Sequence, residues 1–156
     1  MPRKQRTKKG FLGLPRRRRS QAAGKSGVIK LLVVDDEPDI CCFVRTFFTE
    51  RKFMVLVTNS GEKAVEIVRK ESPDIVLLDV KMPDKDGITT LKEIMEITPD
   101  AKVIMVTAVD DTDRAREAKQ LGAVEYITKP LLLEQLERTV FTIAEQIKTS
   151  GRMFTH

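Results

Sequence analysis

The stretch Ile75-Val76-Leu77-Leu78-Asp79 constrains this chain more than any other, because it is an apolar run that ends on a carboxylate. It follows Ser72-Pro73-Asp74 and is stopped by Pro83 and Gly87. Apolar residues without alternation suit a strand covered on both faces, which is the middle of a parallel sheet. Asp79 is the least sheet-like residue of the run and stands where the strand leaves the core. In an open α/β sheet, chemistry gathers outside the carboxyl ends of the strands. A single strand-end acid usually serves as a turn former or helix cap, so its meaning depends on what the other strands supply.

The same design recurs along the chain. Val28 to Val34 is apolar apart from Lys30 and ends on Asp35-Asp36-Glu37-Pro38-Asp39. Pro38 fits a first helical turn and the acids around it suit the dipole; Ile40, Phe43, Val44 and Phe47 then recur at helical spacing up to Glu50-Arg51-Lys52. Phe53 to Thr58 reads as a short strand, and Ser60 caps a helix bearing Ala64, Val65, Ile67 and Val68 that Ser72-Pro73 ends. After the loop from Met82 to Gly87, a helix carries Ile88, Leu91, Ile94 and Met95, and Lys102 to Val106 forms the next strand, ending in Thr107-Ala108. Asp110 to Leu121 reads as a helix whose inward stripe is only Ala115, Ala118 and Leu121, so it should be held weakly. Val124 to Ile127 is the last strand, followed by Thr128-Lys129-Pro130 and a helix with Leu133, Leu136, Val140, Ile143 and Ile147 on one stripe. Five strands alternating with five helices through short connections specify a doubly wound α/β domain, a parallel sheet with helices on both faces.

Charge marks the domain boundary. Before Val28 lie Arg3, Lys4, Arg6, Lys8, Lys9, Arg16, Arg17, Arg18, Arg19 and Lys25, ten bases without an acid. The remainder holds 18 of the 28 basic residues and all 23 acids, so a part near −5 is joined to one near +10. Residues 1–27 show no hydrophobic periodicity and read as a disordered basic extension, 28–148 as the folded domain and 149–156 as a short tail. The extension can attract nucleic acid or an anionic surface without reading sequence. Gly24-Lys25-Ser26 is not a P-loop: the first glycine of that motif would fall at Arg19, and the tripeptide precedes a strand. Adjacent Cys41 and Cys42 have neither zinc nor redox spacing and read as reduced thiols. With no membrane-length apolar run and no signal peptide, the expected location is cytoplasmic.

In a parallel sheet the strand-end groups Asp35, Asp36, Asp79, Thr107 and Lys129 lie along one edge. Three neighbouring carboxylates repel unless a cation joins them, and hard oxygen ligands suit Mg2+. A hydroxyl and an ammonium opposite them suit an anion such as phosphate. At this point the chain resembles the receiver domains of bacterial two-component response regulators, most closely the single-domain, chemotaxis-type members. The likeness covers about Val28 to Lys148. It rests on Leu31-Leu32-Val33-Val34-Asp35-Asp36-Glu37, Asp74-Ile75-Val76-Leu77-Leu78-Asp79, Met82-Pro83 with Asp86-Gly87, Met105-Val106-Thr107-Ala108, and Gly122-Ala123 leading to Tyr126-Ile127-Thr128-Lys129-Pro130.

The resemblance implies the flavodoxin-like strand order 2-1-3-4-5. It implies that Asp79 accepts a phosphoryl group from the phosphohistidine of a sensor kinase or phosphotransfer protein. Asp36, Asp79 and the backbone carbonyl of Lys81 would bind Mg2+ directly, and Asp35 through a water. Thr107, with Ala108 beside it, and Lys129 would hold the phosphoryl oxygens, and Tyr126 would turn inward as the switch threonine moves. The Lys129-Pro130 bond is expected to be cis. With the chain ending soon after Lys148, the expectation is a self-phosphorylating and self-dephosphorylating switch acting on a protein target, without an output enzyme domain. The alternatives are a phosphorelay intermediate and a nucleic-acid-binding regulator led by the basic extension. A haloacid dehalogenase-type phosphatase would want an Asp where Lys81 stands, and no Gly-x-Gly-x-x-Gly fingerprint supports a dinucleotide domain.

Overall fold

A computed structural model of the chain describes residues 27–108 and 111–155. The sheet contains β1 (Lys30–Val34), β2 (Met54–Thr58), β3 (Ile75–Asp79), β4 (Lys102–Thr107) and β5 (Glu125–Thr128). All pairs are parallel and the order is β2-β1-β3-β4-β5, so the acid-ended β1 and β3 are direct neighbours. Between and after the strands come α1 (Pro38–Thr49), α2 (Gly61–Glu71), α3 (Gly87–Ile97), α4 (Thr112–Leu121) and α5 (Leu133–Thr155). None of the described helices is long and apolar enough to cross a membrane.

Strand side chains alternate between two cores, as the period of two requires. Leu31, Val33, Ile75, Leu77, Ile104 and Val106 face α1 and α5, where Val44, Phe48, Leu136 and Val140 close the layer. Phe48 is fully buried and meets the edges of Phe47 and Phe53 at 5.0 and 5.1 Å between ring centres. Leu32, Val34, Val76, Leu78, Val103 and Met105 face α2, α3 and α4, packing on Ala64, Val68, Leu91, Ile94 and Ala118. α4 buries only Ala115 and Ala118, small side chains that anchor it thinly, with Leu121 half-buried beside them.

The bounds of β1, β2, β4 and β5 differ from the sequence reading by one or two residues, and two helix bounds differ as well. Residues 149–155, expected to begin a tail, continue α5. No proline follows Ile147, and Gly151 costs a helix only about 1 kcal/mol relative to alanine. α4 starts at Thr112, not Asp110, with Asp111 in the cap position. The basic extension lies outside the described residues, apart from Gly27.

Candidate functional site

β1 and β3 deliver their acids side by side because their registers pair Val34 with Leu78. Asp35 follows β1 with its side chain turned inward, 3% exposed, where one carboxylate oxygen accepts the Glu37 amide at 2.9 Å. Its own amide donates to the Thr58 carbonyl at 3.1 Å, tying the turn to β2. Asp36 remains exposed, and Pro38 then opens α1 in the first helical position. Asp79, the last residue of β3, is 5% exposed and accepts the Lys81 amide at 3.3 Å. One oxygen from each of Asp35, Asp36 and Asp79 lies within 4.8 Å of the others.

The opposite wall comes from β4 and β5. Thr107 ends β4 fully buried, pairs with Thr128, and accepts the Lys129 amide on its carbonyl at 2.8 Å. That bond aims Lys129, whose peptide to Pro130 is cis, back over the acids. Its ammonium stands 3.1 Å from Asp79 Oδ2, 3.4 Å from Asp35 Oδ2 and 3.3 Å from Glu37 Oε2. Burial alone would lower the Lys129 ammonium, but the charges of Asp35 and Asp79 outweigh it and lift it to about 12. Burial, with the charge of Asp79 adding to it, pushes Asp35 up to about 6 against the Glu37 amide and Lys129. Burial likewise raises Asp79, opposed chiefly by Lys129.

One ammonium cannot balance three carboxylates and Glu37. The imbalance, the oxygen-only donor set and the open side at Asp36 fit a hard divalent cation such as Mg2+. Ala108 follows Thr107 half-buried at the rim. Tyr126 is not brought to the site: it is 40% exposed on β5, with the Lys119 ammonium 6.0 Å from its ring centre.

Sequence reading gave no role to three contacts near the site. Glu37 shares Lys129 with the aspartates. The Cys41 thiol donates to the Asp35 carbonyl at 3.3 Å. Gly87 packs directly on the backbone of Asp79 and Val80, with its amide 2.6 Å from the Val80 carbonyl oxygen. The acid-rich motif and the loop glycine were visible signals, but the partners depend on tertiary approach.

The response regulator receiver domain family matches residues 31–141. Transcriptional regulatory protein ZraR of Escherichia coli (strain K12) is 39% identical over 112 residues, 72% of this chain but 25% of that protein. The chain thus spans about a quarter of that relative's length. Sporulation initiation phosphotransferase F of Bacillus subtilis (strain 168) is 36% identical over 111 residues, 71% of this chain and 90% of that protein. In fold, the chain resembles the CheY-like response regulator receiver domain protein from Methanospirillum hungatei JF-1, with a TM-score of 0.76 at 22% identity over 80% of this chain and 99% of that one. The chain belongs to the response regulator receiver domain family.

Proposed function

We propose that residues 28–148 form a receiver unit in which Asp79 accepts a phosphoryl group from a sensor histidine kinase or phosphotransfer protein. The observation that carries this reading is the Lys129 ammonium 3.1 Å from a nearly buried Asp79 that lies among two further carboxylates. An Asp79 oxygen attacks phosphorus, the bond from phosphorus to the imidazole nitrogen breaks, and the departing ring nitrogen keeps the electron pair and takes a proton from water. Asp36, Asp79 and the Lys81 carbonyl would hold Mg2+, with Asp35 reaching it through a water. When bound, the ion neutralises charge on the phosphoryl oxygens. Lys129 pairs with one phosphoryl oxygen and the Thr107 hydroxyl donates to another. Tyr126 follows Thr107 inward after transfer, a shift that thinly anchored α4 can accommodate.

The resulting activity is that of a switch that binds other proteins in a reducing, cytoplasmic setting, to which the free thiols Cys41 and Cys42 are suited. Incubation with Mg2+ and a small acyl phosphate should add one phosphoryl group, seen by intact mass and removed by hydroxylamine. Equal uptake by Asp79→Asn refutes the assignment. A phosphorelay intermediate is the second reading, favoured by the match to 90% of a phosphotransferase. Transfer of phosphate onward to a histidine phosphotransfer domain distinguishes it. The ten bases before Val28 support binding to nucleic acid, which should weaken steeply with salt and vanish on removal of residues 1–27.

A further inference from the structure

We infer that Asp84 is a positioning residue for phosphotransfer, locking the loop after Asp79 onto the first turn of α2. The inference rests on the reading of Asp79 as phosphoacceptor. Asp84 lies in the loop between β3 and α3, yet its carboxylate caps a different helix. It accepts the Ser60 hydroxyl at 2.9 Å and the Gly61 and Glu62 amides at 3.2 Å each. Ser60 in turn accepts the Lys63 amide at 3.1 Å, so the amides of residues 61 to 63, which no helical carbonyl can reach, all find acceptors. A negative charge at this end is also favoured by the helix dipole. The Glu62 amide, ahead of the Ser60 hydroxyl and the Gly61 amide, holds the Asp84 carboxyl down at about 2.

The contact is wedged from the other side as well. A Cβ at Gly61 would come within 2.5 Å of Thr90 Oγ1 and 3.0 Å of the Lys85 carbonyl oxygen, so the start of α2 sits hard against this loop and α3. The loop's other end is pinned by the Gly87 amide on the Val80 carbonyl. Between these two fixtures lies Lys81, whose amide reaches Asp79 and whose carbonyl is the expected metal ligand. A loop held at both ends needs no ordering when metal and phosphoryl group arrive; one held only at Gly87 must be ordered then.

The test compares the parent with Asp84→Ala, Asp84→Asn and Ser60→Ala by calorimetric Mg2+ titration, amide hydrogen exchange and initial rate of phosphorylation by an acyl phosphate. Asp84→Ala should weaken Mg2+ binding by at most roughly tenfold, the lower end of the cost of losing a group bonded directly to a ligand, since Asp84 acts only through the loop. Phosphorylation should slow with it, and exchange should quicken at Lys81 as well as at Gly61 and Glu62. Asp84→Asn keeps one acceptor oxygen, which can serve Ser60 and Glu62 but not Gly61 as well, and should recover only part of the loss. Ser60→Ala, outside the loop altogether, should weaken Mg2+ binding less and add nothing in the Asp84→Ala background. Faster exchange confined to α2, with Mg2+ affinity and Lys81 exchange unmoved, would overturn the proposal by leaving Asp84 a helix cap alone. Mg2+ affinity and exchange are read without phosphorylation. Failure of the phosphoacceptor assignment, shown by Asp79→Asn, is therefore distinguishable from failure of this one.

Discussion

Gly87→Ala is the sharpest probe of how the site is built, because two effects of known sign oppose each other. Without tertiary contact, alanine at the start of a helix should gain about 0.5 to 1 kcal/mol by restricting the unfolded chain. In this fold its Cβ would overlap the Asp79 carbonyl oxygen and lie 2.6 Å from the Val80 Cα and 3.0 Å from the Asp79 carbonyl carbon. These neighbours are all backbone, so no side chain can swing aside. Reaching ordinary contact with Val80 alone requires a displacement of about 0.8 Å. Overpacking of this kind costs about 1 to 3 kcal/mol, and the net loss of about 1 kcal/mol left after that gain would lower the urea midpoint by about 0.5 M. The displacement falls on Asp79 itself, so phosphorylation by an acyl phosphate should slow more than the stability loss would produce at a temperature where both proteins are folded. Equilibrium urea unfolding and initial-rate phosphorylation supply the two numbers. A Gly87→Ala protein at least as stable as the parent and equally fast would refute the close approach of α3 to the end of β3.

Lys129→Ala should leave Mg2+ binding intact while uncoupling phosphorylation from the change in the amide spectrum around α4 and β5; an unchanged spectral shift counts against its role. Lys81, exposed beside Asp79, is placed to obstruct a hydrolytic water, so Lys81→Asn and Lys81→Ala should both shorten the lifetime of the phosphorylated protein, and equal decay rates would sink that idea. The pH dependence follows from Asp35, at about 6 in the fold against roughly 4 unfolded. Between those values the folded state binds more protons, so its contribution to stability falls as pH rises from about 4 to about 6. Asp79 acts in the same direction, and Lys129→Ala, by removing the compensating charge, should deepen the fall in urea unfolding of the metal-free protein.

Much of the fold was legible because burial writes itself into period. The unbroken run of β3 marked it as a central strand, and the acids that end β1 and β3 named the edge where chemistry collects. Strand order came only with the family resemblance, since nothing local tells Val34 that its neighbour is Leu78. What stayed hidden depends on three-dimensional approach. Asp84 sits among loop residues with no mark of the helix it will cap, and Glu37 reads equally well as a first-turn acid or as a partner for Lys129. The continuation of α5 past Lys148 escaped because Ser150 and Gly151 resemble a stop. The outward setting of Tyr126 is decided by tertiary packing, and a strand's sequence is compatible with a ring turned in or out.

The split of the interior into two layers has a consequence for how such a chain can change. The core under α1 and α5 and the core under α2, α3 and α4 share the sheet's backbone but few side chains, because neighbouring strand residues point opposite ways. Substitutions in one layer should add nearly independently to those in the other where they lie more than about 7 to 10 Å apart and share no backbone shift. A lineage can remodel the surface carried by α1 while the packing beneath α4 drifts on its own schedule. Asp79 follows Leu78 of one layer and Thr107 follows Val106 of the other, so the site draws on both layers.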